Sequence, residues 1–324
     1  MLRYERIDMR DRNAIKAFIE ANSTRFARQF FRNSLSEEKV VAEHMFTEMI
    51  EKLRSGVAFC ARTKSELKAL AIITRSEWDS EILEKKIGKL VVYSLLSREE
   101  TDSFFQRIYP KVAQMNLDAI FVRVDIEQMD LVQSLLRKSA ILGDVLVTLG
   151  KNLCKGEQIA RKDIVGRSDL IFENGTPAHE EKLTKITASS YQYSHYFNDL
   201  NISLARAEKI YQEWIKNSLH GFADIVVIAK LKEEVVGYIT LRLNMLGERA
   251  FGTIDLIAVE ERLRGQGIGR MLVTEGIGRV QTRSSYLYVS TQVSNLPALR
   301  LYQDLGFEPL LSEATLHIWT KSAV

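Results

Sequence analysis

The chain has 324 residues, which is enough for two domains of ordinary size. Its net charge of +3, with lysines and arginines scattered along the chain, does not favour a nucleic-acid-binding protein. Cys60 and Cys154 form no C-x-x-C motif, which argues against a disulfide framework and a structural zinc site and suits the reducing cytoplasm.

The first dozen residues are charged rather than apolar, so they do not resemble a signal peptide. No apolar run reaches the ~18 residues that are needed to span a bilayer. We therefore expect a cytoplasmic protein that binds neither membranes nor nucleic acids. The sequence does not fix the oligomeric state, and a homodimer is one assembly compatible with it.

The first half of the chain predicts helices and strands in alternation. Apolar residues at helical spacing indicate helices over 12–26 and 36–54, the second with Ser36 as its N-cap and Gly56 just past its end. The later elements are predicted as strands over 57–62, 67–74 and 87–96, a helix over 99–115, a strand over 119–125, a helix over 129–139 and a strand over 144–149.

The second half repeats this order. The predicted elements are helices over 187–194 and 205–219, strands over 225–230 and 235–243, a strand around residue 254, a helix after residue 269, a strand over 286–291, a short helix from residue 297 and a strand over 314–320. A shift of about 166 residues pairs Ile73 with Ile239 and Ile141 with Phe307. We therefore expect an α/β fold (α+β, mixed sheet) made of two tandem domains, 1–155 and 165–324.

A strand, a glycine-rich turn and a helix follow one another from residue 253 onward. The turn reads Arg264-Gly265-Gln266-Gly267-Ile268-Gly269-Arg270 and comes after the apolar run 253–259. Free N–H groups and the dipole at a helix N-terminus favour an anion, and glycines let a phosphate approach the backbone. The spacing fits neither the Rossmann fingerprint nor the P-loop, but it fits R/Q-x-x-G-x-G/A.

A second block lies about 25 residues further along the chain. It consists of Asn295, Ala298, Leu299, Leu301, Tyr302, Leu305, Gly306 and Phe307. Together with the glycine turn, this block resembles the N-x-x-A-x-x-x-Y-x-x-x-G-F pattern of the GNAT acetyltransferases. The resemblance covers residues ~170 to 322 with specific motifs, and the first half only in the order of its elements.

Within that family, the chain is most similar to the dTDP-fucosamine acetyltransferases. The similar stretches are 78–81, 193–199, 211–218 and 255–259. Those relatives also have a degenerate first half before a complete GNAT domain. In this chain the repeat shift places Thr101 opposite Gly267, Ser103 opposite Gly269, Met129 opposite Asn295 and Leu136 opposite Tyr302. We therefore expect the first domain to keep the fold without the coenzyme A loop.

The resemblance implies that acetyl-CoA is the co-substrate and that no metal is involved. In the family the glycine turn binds the pyrophosphate through backbone N–H groups, and the preceding strand pairs with the pantetheine arm like an extra strand. The residues that inherit coenzyme A binding are Ile257, Ala258, Val259, Arg264, Gly265, Gln266, Gly267, Ile268, Gly269, Arg270 and Asn295.

The implied reaction is acyl transfer from a thioester to a primary amine, which needs an oxyanion stabiliser and an acid for the thiolate. A backbone N–H within 257–259 would polarise the thioester, and Tyr302 would protonate the thiolate. Neither cysteine lies in a motif, so direct attack by the amine is preferred. The base stays open: Asp255 would accept the proton through water or is a structural carboxylate, and His195 is the other candidate.

Tyr193, His195 and Phe197 are the candidates for contact with the acceptor. With Tyr191 and Tyr196 they form an aromatic cluster that would stack on a sugar or a base, although core packing of a helix explains the same residues equally well.

The sequence therefore predicts an N-acetyltransferase acting on the amine of a small molecule, with a nucleotide-linked amino sugar as one candidate. One alternative is a protein or peptide amine as acceptor. The other is a non-catalytic acyl-CoA-binding sensor, against which the presence of Asn295 and Tyr302 argues.

Overall fold

The computed structural model describes residues 2–26, 38–153 and 169–320, so Ser36 and Cys154 lie outside the described residues. The chain divides into two compact units. The first comprises the chain up to Leu146, Asn198–Ile202 and the residues from Leu311 onward. The second comprises Val147–Phe197 and Ser203–Leu310.

The first unit contains a mixed sheet in the strand order β1-β2-β3-β4-β5-β12. β4 and β5 run parallel, and the other neighbouring pairs run antiparallel. The strands are β1 (Arg3–Ile7), β2 (Val57–Arg62), β3 (Leu67–Arg75), β4 (Ile87–Ser94), β5 (Ala119–Asp125) and β12 (Glu308–Trp319). Strand β12 joins this sheet through residues 313–319, which pair with β5.

Helices cover this sheet and enclose its core. They are α1 (Arg12–Glu20), α2 (Ser23–Phe26), α3 (Glu38–Ser55), α4 (Glu77–Leu83), α5 (Arg98–Ala113) and α6 (Met129–Arg137). Phe104 of α5 and Leu135 of α6 belong to one buried apolar cluster with Val122 of β5 and Leu316 of β12. Burial of these side chains is the main favourable term that holds helices and sheet together.

The second unit contains a mixed sheet in the order β6-β11-β10-β9-β8-β7. The strands are β6 (Ile141–Asn152, in this unit from Val147 on), β7 (Leu170–Asn174), β8 (Ile225–Leu231), β9 (Glu234–Leu246), β10 (Arg249–Val259) and β11 (Tyr286–Gln292). β10 and β11 run parallel, whereas β7, β8, β9 and β10 pair antiparallel. Strand β7 has five residues and is not among the predicted strands.

The helices of the second unit are α7 (Glu180–Ala188), α8 (His195–Asn198, in this unit up to Phe197), α9 (Leu204–Asn217), α10 (Ile268–Val280) and α11 (Leu296–Asp304). The prediction of a helix over 187–194 is wrong, because α7 ends at Ala188 and turns follow it. Gly221, at φ +103°, ends the segment after α9 in a backbone conformation that glycine adopts readily.

The predicted α/β class with tandem repeats is confirmed, because the strands of each unit follow the same mixed parallel and antiparallel order. Under the repeat shift, β6 and β12 are equivalent strands. Yet β12 pairs with β5 in the first unit, whereas β6 from Val147 onward belongs to the second. The terminal strands of the two repeats are thus exchanged between the units, and the linear domains 1–155 and 165–324 remain a prediction.

Candidate functional site

Strand β10 has one side that its neighbour leaves unpaired. On the β9 side the antiparallel register runs along the whole strand to Val259 opposite Gly237. On the β11 side the parallel register ends at Ile254 opposite Val289. The register with β9 also shifts between Ile254 and Leu256, as a β-bulge does, and a bulge bends the strand that contains it. Beyond this point β10 and β11 are no longer paired, and we call the space on this side of β10 the cleft.

The backbone of residues 257 and 259 faces this cleft. Glu260 donates its N–H to Val236 of β9, and successive residues of a strand direct their backbone groups to opposite sides. Ile257 and Val259 therefore point away from β9. Their carbonyl oxygens accept hydrogen bonds from Tyr191 Oη at 3.1 Å and from Arg264 Nε at 3.1 Å. We call this side of residues 257–259 the open edge; its N–H groups are directed to where a further strand would bind.

The glycine turn follows the open edge directly. Gly265 and Gly267 adopt φ of +76° and +82°, values that L side chains rarely adopt. A Cβ at either position would meet nothing within 4 Å, so the space above the turn is open. Gly267 is the N-cap of α10 and has no side chain to cap the helix. The first N–H groups of α10 therefore form a site for an anion.

The basic residues of the turn already have partners. Arg264 Nη2 donates to the carbonyl of Ser189 at 3.0 Å and to Ser190 Oγ at 3.1 Å, besides the bond to Val259. Arg270 forms an exposed ion pair of 2.8 Å with Asp304. Gln266 is exposed and donates to the carbonyl of Arg262, just before the turn, at 3.4 Å. The backbone N–H groups, rather than free cationic side chains, are thus the main feature offered to an anion.

The equivalent helix of the first unit is capped by its own side chains. Ser97 is the N-cap of α5 and accepts from the Glu100 N–H at 3.4 Å. Glu100 in turn accepts from the Ser97 N–H at 2.9 Å, which completes a capping box. Glu99 adds a further negative charge to this end of α5, and Asp102 lies there in an ion pair of 2.7 Å with Arg137. These carboxylates oppose a pyrophosphate at this helix terminus.

Tyr302 lies on α11 and is almost fully buried, with 2% of its surface exposed. Its ring packs edge-on against Phe307, with ring centroids 5.7 Å apart. Burial raises its pKa, so the phenol keeps its proton at neutral pH. Asn295 caps the same helix: its Oδ1 accepts from the Ala298 N–H at 3.3 Å, and its Nδ2 donates to Thr291 Oγ1 at 3.3 Å.

Asp255, a candidate base, is held in an ion pair. Arg242 binds both carboxylate oxygens, through Nε and through Nη2 at 3.1 Å, and Thr253 Oγ1 donates to Oδ1 at 3.1 Å. The carboxylate is 6% exposed, and the guanidinium also lies over the ring of Phe222. These contacts favour the structural alternative for Asp255, and sequence reasoning did not identify Arg242. An isolated charge in the apolar run 235–243 was the available signal.

The three candidate acceptor residues differ in their surroundings. His195 is 6% exposed and packs on Tyr196, with ring centroids 3.9 Å apart. Phe197 stacks on Tyr211, with ring centroids 6.3 Å apart. Tyr193 is 41% exposed and remains accessible to a ligand. Packing thus accounts for two of the three, and their roles in acceptor binding stay predictions.

Within residues 2–26, 38–153 and 169–320, no group of three or more His, Cys, Asp or Glu residues is arranged to hold a metal ion. In the same described part of the chain, no helix combines the length and apolarity that crossing a membrane requires.

Residues 185–307 match the family model described as "Acetyltransferase (GNAT) family". This segment contains the open edge, the glycine turn, Asn295 and Tyr302. Among curated proteins, the spore coat polysaccharide biosynthesis protein SpsD of Bacillus subtilis (strain 168) is 27% identical over 260 residues, which cover 79% of this chain and 85% of that protein.

Solved structures share the fold along the whole chain. A GCN5-related N-acetyltransferase from Sphaerobacter thermophilus superposes with a TM-score of 0.63 at 12% identity, covering 100% of this chain and 97% of that one. A tandem GNAT protein from the clavulanic acid biosynthesis pathway gives a TM-score of 0.58 at 10% identity, covering 100% of both chains. At these identities the likeness concerns the fold alone.

Proposed function

We propose that this chain, which belongs to the GNAT acetyltransferase family and is an acyltransferase, transfers an acetyl group from acetyl-CoA to the primary amine of a small molecule. The observation that carries the proposal is the open edge of β10, followed at once by the glycine turn at the N-terminus of α10. An extended amide arm and a pyrophosphate at its end match these two features in the same order.

The order of the two features also sets the direction of the donor. The pyrophosphate belongs at Gly267, so the arm runs back along β10 from Val259 toward Ile257. The thioester lies at the far end of the arm, and we place it beside residues 255–257. The acceptor amine has to meet it there.

The residues near that point supply the groups that acyl transfer needs. The Ile257 N–H faces the cleft and stabilises the oxyanion that forms when the amine attacks the thioester carbonyl. Tyr302 holds a phenolic proton for the departing thiolate. The amine also has to lose one proton, and the group that accepts it stays open, because the oxygens of Asp255 already bind Arg242 and Thr253.

An amino sugar is the acceptor we propose. Support comes from the curated relative, whose name places it in polysaccharide biosynthesis. Further support comes from Tyr193, an exposed aromatic ring of the kind that packs against a sugar face.

The test is the release of free coenzyme A from acetyl-CoA in the presence of candidate amines, starting with dTDP-4-amino sugars and glucosamine and including a peptide with a free N-terminus. We expect release that depends on an added sugar amine. Release with the peptide alone would replace the sugar by a peptide amine. Binding of acetyl-CoA without release in any mixture would indicate a sensor rather than an enzyme.

A further inference from the structure

A chain of three hydroxyl groups connects α7 to the open edge of β10. Thr187 Oγ1 lies 2.6 Å from Tyr238 Oη, and Tyr238 Oη lies 3.3 Å from Tyr191 Oη. Tyr191 Oη lies 3.1 Å from the carbonyl oxygen of Ile257. Tyr238 is fully buried on β9, and Thr187 is 1% exposed. A buried hydroxyl without a hydrogen bond lowers the stability of the folded protein. The three hydroxyls are therefore held in the positions that let each one bond to the next.

The direction of the chain follows from its far end. Thr187 donates its one proton to the carbonyl of Leu183 at 2.7 Å, so it accepts from Tyr238. Tyr238 has then used its only proton and offers Tyr191 a lone pair. Tyr191 therefore has two possible acceptors, the Tyr238 hydroxyl oxygen and the Ile257 carbonyl oxygen. It donates to the Ile257 carbonyl, which is the nearer of the two. Tyr191 is therefore a fixed donor into the open edge.

Two further features keep Tyr191 in this role. Its ring stacks on Tyr211 with centroids 4.3 Å apart and planes 3° from parallel, which fixes where the hydroxyl points. The loss of solvent around the hydroxyl raises its pKa well above the ordinary value, and Tyr238 adds to the effect. The phenol thus stays protonated and remains a donor throughout the working pH range.

We propose that Tyr191 is a positioning residue for the acyl donor: by holding the Ile257 carbonyl, it fixes the open edge so that the Ile257 N–H meets the thioester oxygen. This inference rests on the proposed function, since it presumes that acetyl-CoA binds along β10. The family motifs that direct attention to the glycine turn and Tyr302 do not include Tyr191. Its contact with the backbone, rather than with any ligand, is what assigns it the role.

The test compares Tyr191→Phe with the natural protein by infrared spectroscopy of bound acetyl-CoA labelled with carbon-13 at the thioester carbonyl. A hydrogen bond from Ile257 N–H lowers the carbonyl stretching frequency. In Tyr191→Phe we expect this frequency to move back toward that of free acetyl-CoA, and the dissociation constant to rise about fivefold, as one lost hydrogen bond allows. Tyr238→Phe leaves the direct bond to Ile257 and should shift the frequency less.

Tyr109→Phe, a partly buried tyrosine of α5 in the first unit, is the matched control and should leave the spectrum unchanged. An unaltered carbonyl frequency in Tyr191→Phe, with acetyl-CoA still bound, would overturn the positioning role while leaving the proposed function intact. Failure of the natural protein to bind acetyl-CoA would instead overturn the proposed function. A merely structural role would lower the melting temperature of Tyr191→Phe without changing the frequency, which would also overturn the inference.

Discussion

At the scale of single residues, Tyr302 is the predicted acid, and burial raises the pKa of its phenol. We expect Tyr302→Phe to lower kcat by about 10²-fold or more, since general acid catalysis contributes 10²–10⁴-fold. Acetyl-CoA binding should change little, because the ring still packs on Phe307. Turnover is measured by coenzyme A release and binding by calorimetry. Equal losses in both quantities would contradict the acid role.

Asp199 is a second residue with a defined consequence, in the first unit. Burial by itself raises its pKa, but hydrogen bonds from His317, Asn201 and Trp319 outweigh this and lower the pKa to about 2. His317 Nδ1 and Trp319 Nε1 lie 2.6 and 2.7 Å from Asp199 Oδ2. Because the folded pKa lies below the unfolded value of ~3.9, the stabilisation is complete above about pH 4 and is lost as the pH falls toward 2.

This contribution amounts to about 2 kcal/mol in the free energy of unfolding. We expect Asp199→Asn to lose that amount at pH 6 and to flatten the decline of stability between pH 4 and 2, as measured by urea unfolding at each pH. The exposed Asp130→Asn is the control and should leave the decline as it is. A natural protein whose stability does not fall across this range would contradict the stabilising role of the hydrogen-bonded Asp199 carboxylate.

The sequence could identify Tyr302 and Asn295 because fixed spacing within one helix and its cap defines their block. It could not identify Arg242 or Tyr238, whose contacts depend on the register of β9 with β10. Asp255 follows a shift in that register, so its neighbour across the strands differs from the one that simple alternation suggests. For this reason the sequence left the identity of the base open. The ion pair of Arg242 with Asp255, which favours a structural role for Asp255, is visible only in the structure.

At the scale of elements, Gly267 of the turn before α10 can be compared with Gly221, a glycine of similar backbone conformation after α9. Gly267 and Gly221 both adopt positive φ, +82° and +103°, and a Cβ on either would meet nothing within 4 Å. Substitution by alanine should therefore cost each variant a similar ~1 kcal/mol of backbone strain. Only Gly267→Ala should also weaken acetyl-CoA binding, by about tenfold or more, because it tilts the N–H groups that face the pyrophosphate.

Thermal unfolding and calorimetry of the two variants separate these effects. A Gly267→Ala protein that binds acetyl-CoA as tightly as Gly221→Ala would show that the turn is an ordinary helix entry. Loss of binding in both variants would show that backbone strain, rather than the anion site, governs affinity.

Most elements could be predicted from hydrophobic period, but the short elements β1, α4 and β7 and the exchange of β6 and β12 could not. β7 is a five-residue strand with alternating exposure, too short to give a clear periodic signal. The exchange of β6 and β12 is hidden for a different reason: the two strands are equivalent in the repeat, and either pattern fits either sheet. Pairing partners of equivalent strands are a property of the folded chain rather than of the local sequence.

At the scale of the whole molecule, the two repeats share an early end of pairing between their two parallel strands, and they differ at one helix N-terminus. In the first unit β4 pairs with β5 only as far as Leu90, whereas its pairing with β3 continues to Ser94. The first unit thus keeps the unpaired strand edge that β10 has in the second. What differs is the helix that follows. A capping box closes the N-terminus of α5, whereas a glycine leaves that of α10 open. Loss of a ligand site therefore requires no change of fold, only side chains that take the place of the ligand.

This contrast predicts one acetyl-CoA per chain. Titration calorimetry of the natural protein should give a stoichiometry of one, and Gly267→Ala should weaken that site about tenfold without revealing another. Glu100→Gln, which weakens the capping box of α5, should still give one site, because Glu99 continues to repel a pyrophosphate and no glycine turn precedes the helix. A stoichiometry of two would mean that the first unit binds coenzyme A despite its carboxylates, and the anion-site argument would then fail for both helices. Absence of binding would require a different acyl donor for the cleft beside β10.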